Sequence, residues 1–284
     1  MSAKNRVSVS IIAPNYNNGK YLQDFIQSVI ASTILPEELI IIDDGSTDES
    51  ADVLDRFSDL GFLKVFRFSY NQGLPAALNA GLDAATAKYI MRADPDDLLH
   101  SERIERQYRF MEAHSGVDAL GCNVTYFNGP GRRRINRSNF PVTHCKIADT
   151  YKRGEHGLMH ATVFLRGEVY RKYRYQPVFP GEDYELFSRM ARDGYIFHNL
   201  PESLYFVRIH PGCSTNNLKM DAIRQTFEFR DRIFGTKTNP IWIYMYYHHI
   251  KQYRCYQMSE KRINKYLHLL ISGLLYPAKI LKGR

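Results

Sequence analysis

From residue 7 to about 126, short apolar runs alternate with stretches in which apolar residues recur every third or fourth position. That alternation predicts βαβ units on a mostly parallel sheet. Val7–Ala13, Leu39–Ile42, Leu63–Phe68 and Tyr89–Arg92 read as strands. Between them, Leu22, Phe25, Ile26, Val29 and Ile30 predict one crossover helix. Ala51, Leu54 and Phe57 predict a second, and Leu74, Ala77, Leu78, Gly81 and Leu82 a third. The run Leu39-Ile40-Ile41-Ile42 is apolar without alternation, as expected of a central strand covered on both faces. Ser101–His114 predicts a further helix, Ala119–Tyr126 a strand and Asn128–Phe140 a polar loop. Beyond it the pattern weakens into short elements at Thr162–Leu165, Leu186–Arg192 and Leu204–Ile209, and three helices rich in Tyr, Lys and Arg follow from about Lys219. The fold class is α/β, a mostly parallel sheet flanked by helices with a helical C-terminal extension.

At 284 residues the chain can bury a core that needs no covalent staples. Cys122, Cys145, Cys213 and Cys255 lie far apart with no Cys-x-x-Cys, which suggests neither a disulfide framework nor a zinc site and fits a reducing cytosol. A formal charge of +8 favours anionic company without choosing among nucleic acid, lipid and phosphate. No window holds 18 uninterrupted apolar residues and no secretory leader pattern opens the chain, so a cytoplasmic protein, at most peripheral on a membrane, is expected.

In open parallel sheets ligands sit beyond the carboxyl ends of the strands, so the loops there carry the chemistry. The first predicted strand runs into Pro14-Asn15-Tyr16-Asn17, the second into Asp43-Asp44-Gly45-Ser46-Thr47-Asp48, the third into Asn71-Gln72-Gly73 and the fourth into Asp94-Pro95-Asp96-Asp97. Three carboxylates within four residues repel one another unless a hard divalent ion neutralises them. Oxygen ligands favour Mg²⁺ or Mn²⁺, which keep positions for a substrate diphosphate. A polar turn after a strand is the plain alternative. In the second loop Ser46 or Thr47 is expected to cap the next helix, with Asp48 and Glu49 favourable to its dipole. Asp43 then still needs a donor, for which a base N–H or ribose hydroxyls are suited. Neither Gly-x-Gly-x-x-Gly nor Gly-x-x-x-x-Gly-Lys-Ser/Thr is present, which argues against a dinucleotide enzyme and a P-loop NTPase.

In combination, Val9-Ser10-Ile11-Ile12-Ala13-Pro14-Asn15-Tyr16-Asn17, Ile42-Asp43-Asp44-Gly45-Ser46-Thr47-Asp48, Asn71-x-Gly73 with Ala77-x-Asn79-x-Gly81, and Arg92-x-Asp94-x-Asp96-Asp97 resemble glycosyltransferase family 2 and its GT-A (Rossmann-like) fold over roughly residues 7 to 210. The resemblance implies a catalytic domain over 1–215, with a nucleotide-sugar half to about 126 and an acceptor half from about 127, followed by the extension at 216–284. It implies a UDP-sugar donor, a saccharide or lipid-linked saccharide acceptor, and inversion, with hexosyl or N-acetylhexosaminyl transfer in lipid-linked polysaccharide, O-antigen or capsule assembly. Pro14, Tyr16, Asp43, Asp44, Asn71 and Asp94 match nucleotide-binding positions, and Asp96 matches the metal ligand, for Mn²⁺ or Mg²⁺. Arg92 is either a salt bridge inside the site or a strand-edge cation.

Gly181-Glu182-Asp183-Tyr184-Glu185-Leu186 resembles the family's Glu-Asp motif, which makes Asp183 the base that deprotonates the acceptor and Glu182 its neighbour. Helix capping is the alternative reading of the pair. His160-Ala161-Thr162-Val163 and Tyr205-x-x-Arg208-x-His210-Pro211-Gly212-x-Ser214 match later family segments, with His210 a possible contact of diphosphate or metal. The run Arg132-Arg133-Arg134 with Arg137 is a solvated charge run or a phosphate clamp. In the tail, Ile263, Leu267, Leu270, Ile271 and Leu274 form an apolar stripe beside Lys261, Arg262, Lys265, Lys279, Lys282 and Arg284, while Tyr244, Tyr246 and Tyr247 follow Trp242. That pattern suits either an interfacial helix on anionic lipid or packing against protein.

Two other classes fit parts of the pattern. A sugar-1-phosphate nucleotidyltransferase would need a Gly-rich basic loop after the first strand, and Pro14-Asn15-Tyr16-Asn17 is not one. A non-catalytic nucleic-acid or membrane binder is suggested by charge alone, and the acidic rim argues against nucleic acid.

Overall fold

A computed structural model of the chain describes residues 5–128, 133–210, 212–213, 219–259 and 262–276, the side chains of 257, 258 and 262 excepted. The chain divides into two compact units, Met1–Arg208 and Ile209–Arg284. Arg132, Pro211, Ser214, Lys261, Lys279, Lys282 and Arg284, all singled out in the sequence, lie outside the described residues.

The first unit starts with β1 (Arg6–Asn15), α1 (Gly19–Ile30), β2 (Leu35–Asp43), α2 (Ser50–Asp55), β3 (Leu63–Arg67), α3 (Leu74–Ala84) and β4 (Tyr89–Arg92). It continues through β5 (Leu98–Leu99), α4 (Arg103–Ala113), β6 (Ala119–Asn128), β7 (Arg133–Arg137), α5 (His144–Lys152) and β8 (Phe164–Arg166), then closes with α6 (Gly167–Lys172), α7 (Glu182–Arg192) and β9 (Phe197–Ile209). One sheet runs in the order β3-β2-β1-β4-β8-β6-β9-β5, with β7 added on β6. Its β3-β2-β1-β4 half is parallel. The pairs β4/β8, β6/β8, β5/β9 and β6/β7 are antiparallel.

Burial explains the central strands. Leu39, Ile40, Ile41 and Ile42 are fully enclosed, and the α1 stripe Leu22, Phe25, Ile26 and Val29 packs with no exposure. Gly81 of α3 faces Ile12 of β1 so closely that a Cβ would collide with that side chain. In register, Asn15 pairs with Asp43, Asp43 with Arg67 and Ile12 with Arg92, so the carboxyl ends of four parallel strands form one rim.

Two local expectations are corrected. α2 has only six residues and buries Val53 and Leu54, while Ala51 is exposed and Phe57 falls beyond the helix, because so short a helix has no second turn to align a stripe. The polar stretch expected as a loop contains β7, which bonds to β6 through its backbone with every side chain exposed. A strand with no buried face leaves no apolar alternation to read.

The second unit holds α8 (Met220–Phe234), α9 (Pro240–Met258) and α10 (Arg262–Leu275). Ile223 and Phe227 of α8 pack with Tyr246 of α9. Gly235 takes φ +66° at the end of α8, and Asn239 caps α9 by accepting the Ile241 N–H at 2.9 Å, with Pro240 in the first turn. No helix among the described residues is long and apolar enough to cross a membrane.

Candidate functional site

The rim is built by side chains that tie one loop to the next. Asn15, last residue of β1, donates Nδ2 to Asp43 Oδ1 and Ser46 Oγ, both at 3.2 Å. Asn17, at φ +53°, donates its N–H to Ser46 Oγ at 2.9 Å and accepts the Thr47 N–H on Oδ1 at 2.8 Å. Ser46 and Thr47 therefore do not cap α2. The cap position is Glu49, which makes no side-chain cap bond, and Asp48 just before it accepts the Ser50 N–H at 3.0 Å and the Gly19 N–H at 2.8 Å. Asp44 spends both carboxylate oxygens on backbone, accepting the Gln72 and Gly73 N–H groups at 2.7 and 2.9 Å, which fixes the segment carrying Asn71. Gly45, at φ +70°, lies against that segment, where an added Cβ would sit 2.5 Å from the Tyr70 carbonyl carbon. Pro14 is buried in β1, Asp43 is buried at the end of β2, and Tyr16 and Asn71 are exposed on the rim.

The acidic turn follows β4. Asp94, Asp96 and Asp97 each bring a carboxylate oxygen within 4.8 Å of the others. Arg92 is buried and pairs with Asp94, so it is a salt bridge inside the site rather than a strand-edge cation. Tyr205 Oη of β9 accepts the Asp94 N–H at 2.8 Å. Arg208 clamps the turn, its N–H to Asp97 Oδ1 at 2.7 Å, its Nε to the Asp96 carbonyl at 2.8 Å and its Nη2 to Asp24 at 3.1 Å. Burial pushes the Asp94 carboxyl up, Arg92 pulls it back and Asp96 adds to the rise. Burial, Asp96 and Asp94 together push Asp97 well above the usual carboxylate range. The donor set is anionic oxygen around one point, which fits a hard divalent cation. Asn15 Oδ1 and Arg92 Nε are buried without a hydrogen-bond partner among the described residues, groups that a bound ligand or water would satisfy.

The second cluster opens α7. Gly181, at φ +104°, turns the chain so that Glu182 and Asp183 occupy the first two helical positions. Asp183 Oδ2 lies 3.3 Å from Nδ1 of His156, whose side chain is 45% exposed. Burial would raise Asp183, but the His156 charge and hydrogen bond hold it far below the usual range, while Asp183 lifts His156 against the cost of its own desolvation. Glu182 goes the other way, raised to about 7 by burial and by the Asp183 charge. His160, pushed down to about 3 by burial and Arg92, is neutral, so its 3.8 Å approach to Glu182 is no ion pair. Its Nε2 meets Tyr175 Oη at 2.8 Å. Asn79 of α3 holds the Tyr175 backbone from both sides, donating to its carbonyl at 2.9 Å and accepting its N–H at 3.1 Å. The Arg92 charge acts on both clusters, pairing with Asp94 and lowering Glu182 and His160.

His156 is the member of this site that the sequence reading passed over. Its one signal is a four-residue spacing from His160 across an irregular segment, which has no helical or strand period to give it a facing direction. His210 falls one residue after β9, in the second unit. Arg133, Arg134 and Arg137 are exposed on β7, and Arg137 donates to the Pro201 carbonyl at 2.6 Å.

Residues 10–174 match the family model described as glycosyl transferase family 2. The chain is 32% identical over 203 residues to the amylovoran biosynthesis glycosyltransferase AmsE of Erwinia amylovora, covering 70% of this chain and 75% of that protein. It is 30% identical over 191 residues, 66% of this chain and 68% of the relative, to an Escherichia coli protein named UDP-Gal:alpha-D-GlcNAc-diphosphoundecaprenol beta-1,3-galactosyltransferase. The chain belongs to glycosyl transferase family 2 and is a glycosyltransferase. In fold it is similar to Staphylococcus aureus TarS 1–349 in complex with UDP-GlcNAc, at TM-score 0.62 and 15% identity over 97% of this chain and 92% of that one. It is similar also to the mannosyltransferase PcManGT of Pyrobaculum calidifontis in complex with GDP-Man and Mn²⁺, at TM-score 0.61 and 15% identity over 99% and 78%. The α/β architecture is thus that of the GT-A glycosyltransferases.

Proposed function

We propose that the protein transfers a hexosyl or N-acetylhexosaminyl group from a UDP-sugar, with inversion, to a hydroxyl of a lipid-linked saccharide during polysaccharide, O-antigen or capsule assembly. The observation that carries the reading is the gathering of the Asp94, Asp96 and Asp97 carboxylates within 4.8 Å of one another after β4, with Asp183 placed 3.3 Å from His156 at the start of α7. Asp183 is held low beside His156 while burial and the Asp183 charge raise Glu182, and adjacent acids pushed apart in this way are how one site separates its proton acceptor from the group beside it.

Asp183 accepts the proton of the acceptor hydroxyl as its oxygen bonds to the anomeric carbon, on the face opposite the breaking bond to UDP. One displacement inverts the configuration. An acid held so low is a weak base, so the proton moves late, when C–O bond formation has acidified the hydroxyl. Pro14 and Tyr16 flank the base, and Asp43 accepts a hydrogen bond from it. Asp44, bound to the Gln72 and Gly73 amides, acts through the loop that presents Asn71. Asp96, with Asp94 on the ribose side, would hold Mn²⁺ or Mg²⁺, which when bound neutralises the departing diphosphate. The UDP-GlcNAc complex of TarS supports the donor class, the Mn²⁺ complex of PcManGT the cation, and the name of the E. coli relative the lipid-linked acceptor.

Asp183→Asn, assayed with a panel of UDP-sugars and Mn²⁺, should abolish transfer while UDP still raises the melting temperature as it does in the parent. Loss of UDP binding in that variant would move Asp183 to the donor side. Full activity in excess chelator would remove the cation from the reading.

A further inference from the structure

The helix α10 is amphipathic in the wrong direction for a helix that merely packs. Its contacts with α9 run through His268, which meets Gln252 at 2.7 Å, Ser272, which meets His249 at 2.9 Å, and Tyr276, whose ring sits edge-on to Trp242 and Tyr246 just past the helix end. Those residues recur every four positions and define the inner face. Ile263, Leu267, Leu270 and Leu274, spaced by four, three and four, fall on the opposite face. They are 83, 52, 62 and 72% exposed. Ile271 lies between the two faces and is half-buried. Packing on α9 is therefore real, and it leaves the apolar stripe pointing outward.

Charge says what covers it. From Pro240 to the end the sequence has eight Lys and Arg against Glu260 alone, a surplus of seven out of the chain's formal +8. A second copy would bring one net-positive C-terminal unit against another, which opposes self-association. An anionic bilayer offers acyl boundary to the leucines and headgroup phosphates to the cations. We infer that the outer face of α10 docks the protein on an anionic phospholipid surface. The inference goes beyond the sugar chemistry and stands without it, since docking is read with no donor or acceptor present.

The test is co-sedimentation of the full chain with vesicles of phosphatidylcholine alone and of phosphatidylcholine mixed with phosphatidylglycerol, alongside light scattering for mass. The parent should bind the anionic vesicles about tenfold more tightly, and added salt should weaken it. The double variant Leu270→Glu, Leu274→Glu should lose at least about tenfold of that binding with helical content unchanged, because both positions face outward. A parent that ignores both vesicle types overturns the inference. So does a variant that binds as well as the parent, which would leave charge acting elsewhere. A parent dimer that the variant dissociates, with no lipid binding in either, reassigns the face to a second copy.

Discussion

Glu38 in β2 and Asp97 in the turn between β4 and β5 are both buried carboxylates, and their surroundings drive them in opposite directions. Glu38, toward the amino ends of the parallel strands, receives Ser10 Oγ, Lys64 Nζ and both the N–H and Oγ1 of Thr86. Burial alone would raise it, yet Lys64, Ser10 and Thr86 hold it down at about 2. Asp97, beyond the carboxyl ends, has the Arg208 N–H and two acidic neighbours, and it is driven up. A buried carboxylate with its donors complete is scaffold; one crowded by other carboxylates stores repulsion that a ligand can relieve. Each end of the sheet should thus answer differently to losing its acid.

The largest effect is expected at the rim. Asp96→Asn should cost about a thousandfold or more in transfer, the several kcal/mol of charge stabilisation expected of a metal site, with the melting temperature unchanged or raised because one repelling charge is gone. A melting temperature several degrees lower would make the turn scaffold and break the contrast. Glu38→Gln should do the reverse, costing about 3 kcal/mol in urea unfolding while kcat at low temperature is kept. The sign with pH follows from its depressed value: the Glu38 contribution is complete above its ordinary value of 4.5 and is lost as pH falls toward about 2, so acid unfolding should be less steep in the variant. The smallest change is His156→Gln. Without the imidazolium the Asp183 carboxyl rises, so the acidic limb of the kcat profile should move to higher pH, with donor KM unchanged. His156 is raised in the folded chain, so its stability contribution is present below its ordinary value of 6.5 and is lost as pH climbs through the raised value. Unfolding of parent and variant should then differ most at acid pH.

The parallel half of the sheet was legible because burial writes itself into the sequence. Leu39–Ile42 and the α1 stripe have the period of the element they form. The antiparallel half was less so: β8 has three residues and β7 has none buried, too little for a period to show. At the site, the acidic turn and the Glu182-Asp183 pair were visible because their chemistry is local in sequence. The partner of Asp183 was not, since His156 reaches it from 27 residues away through tertiary packing. The bond from the Ser50 N–H to Asp48, in place of a cap by Ser46 or Thr47, was hidden for the same reason, because Ser46 is drawn off by Asn15 and Asn17.

Arg208 gives the rim an order of assembly. Asn15 meets Asp43, and Asp44 meets Gln72, across 28 residues each, so those loops can close soon after they are synthesised. The acidic turn waits for a partner 111 positions downstream of Asp97 and 184 downstream of Asp24. A ribosome adding roughly 5–20 residues per second would leave it unanchored for about 5–20 s. Arg92 can pair with Asp94 at once, but the Arg208 clamp on Asp96 and Asp97 is among the last ties of the rim to form.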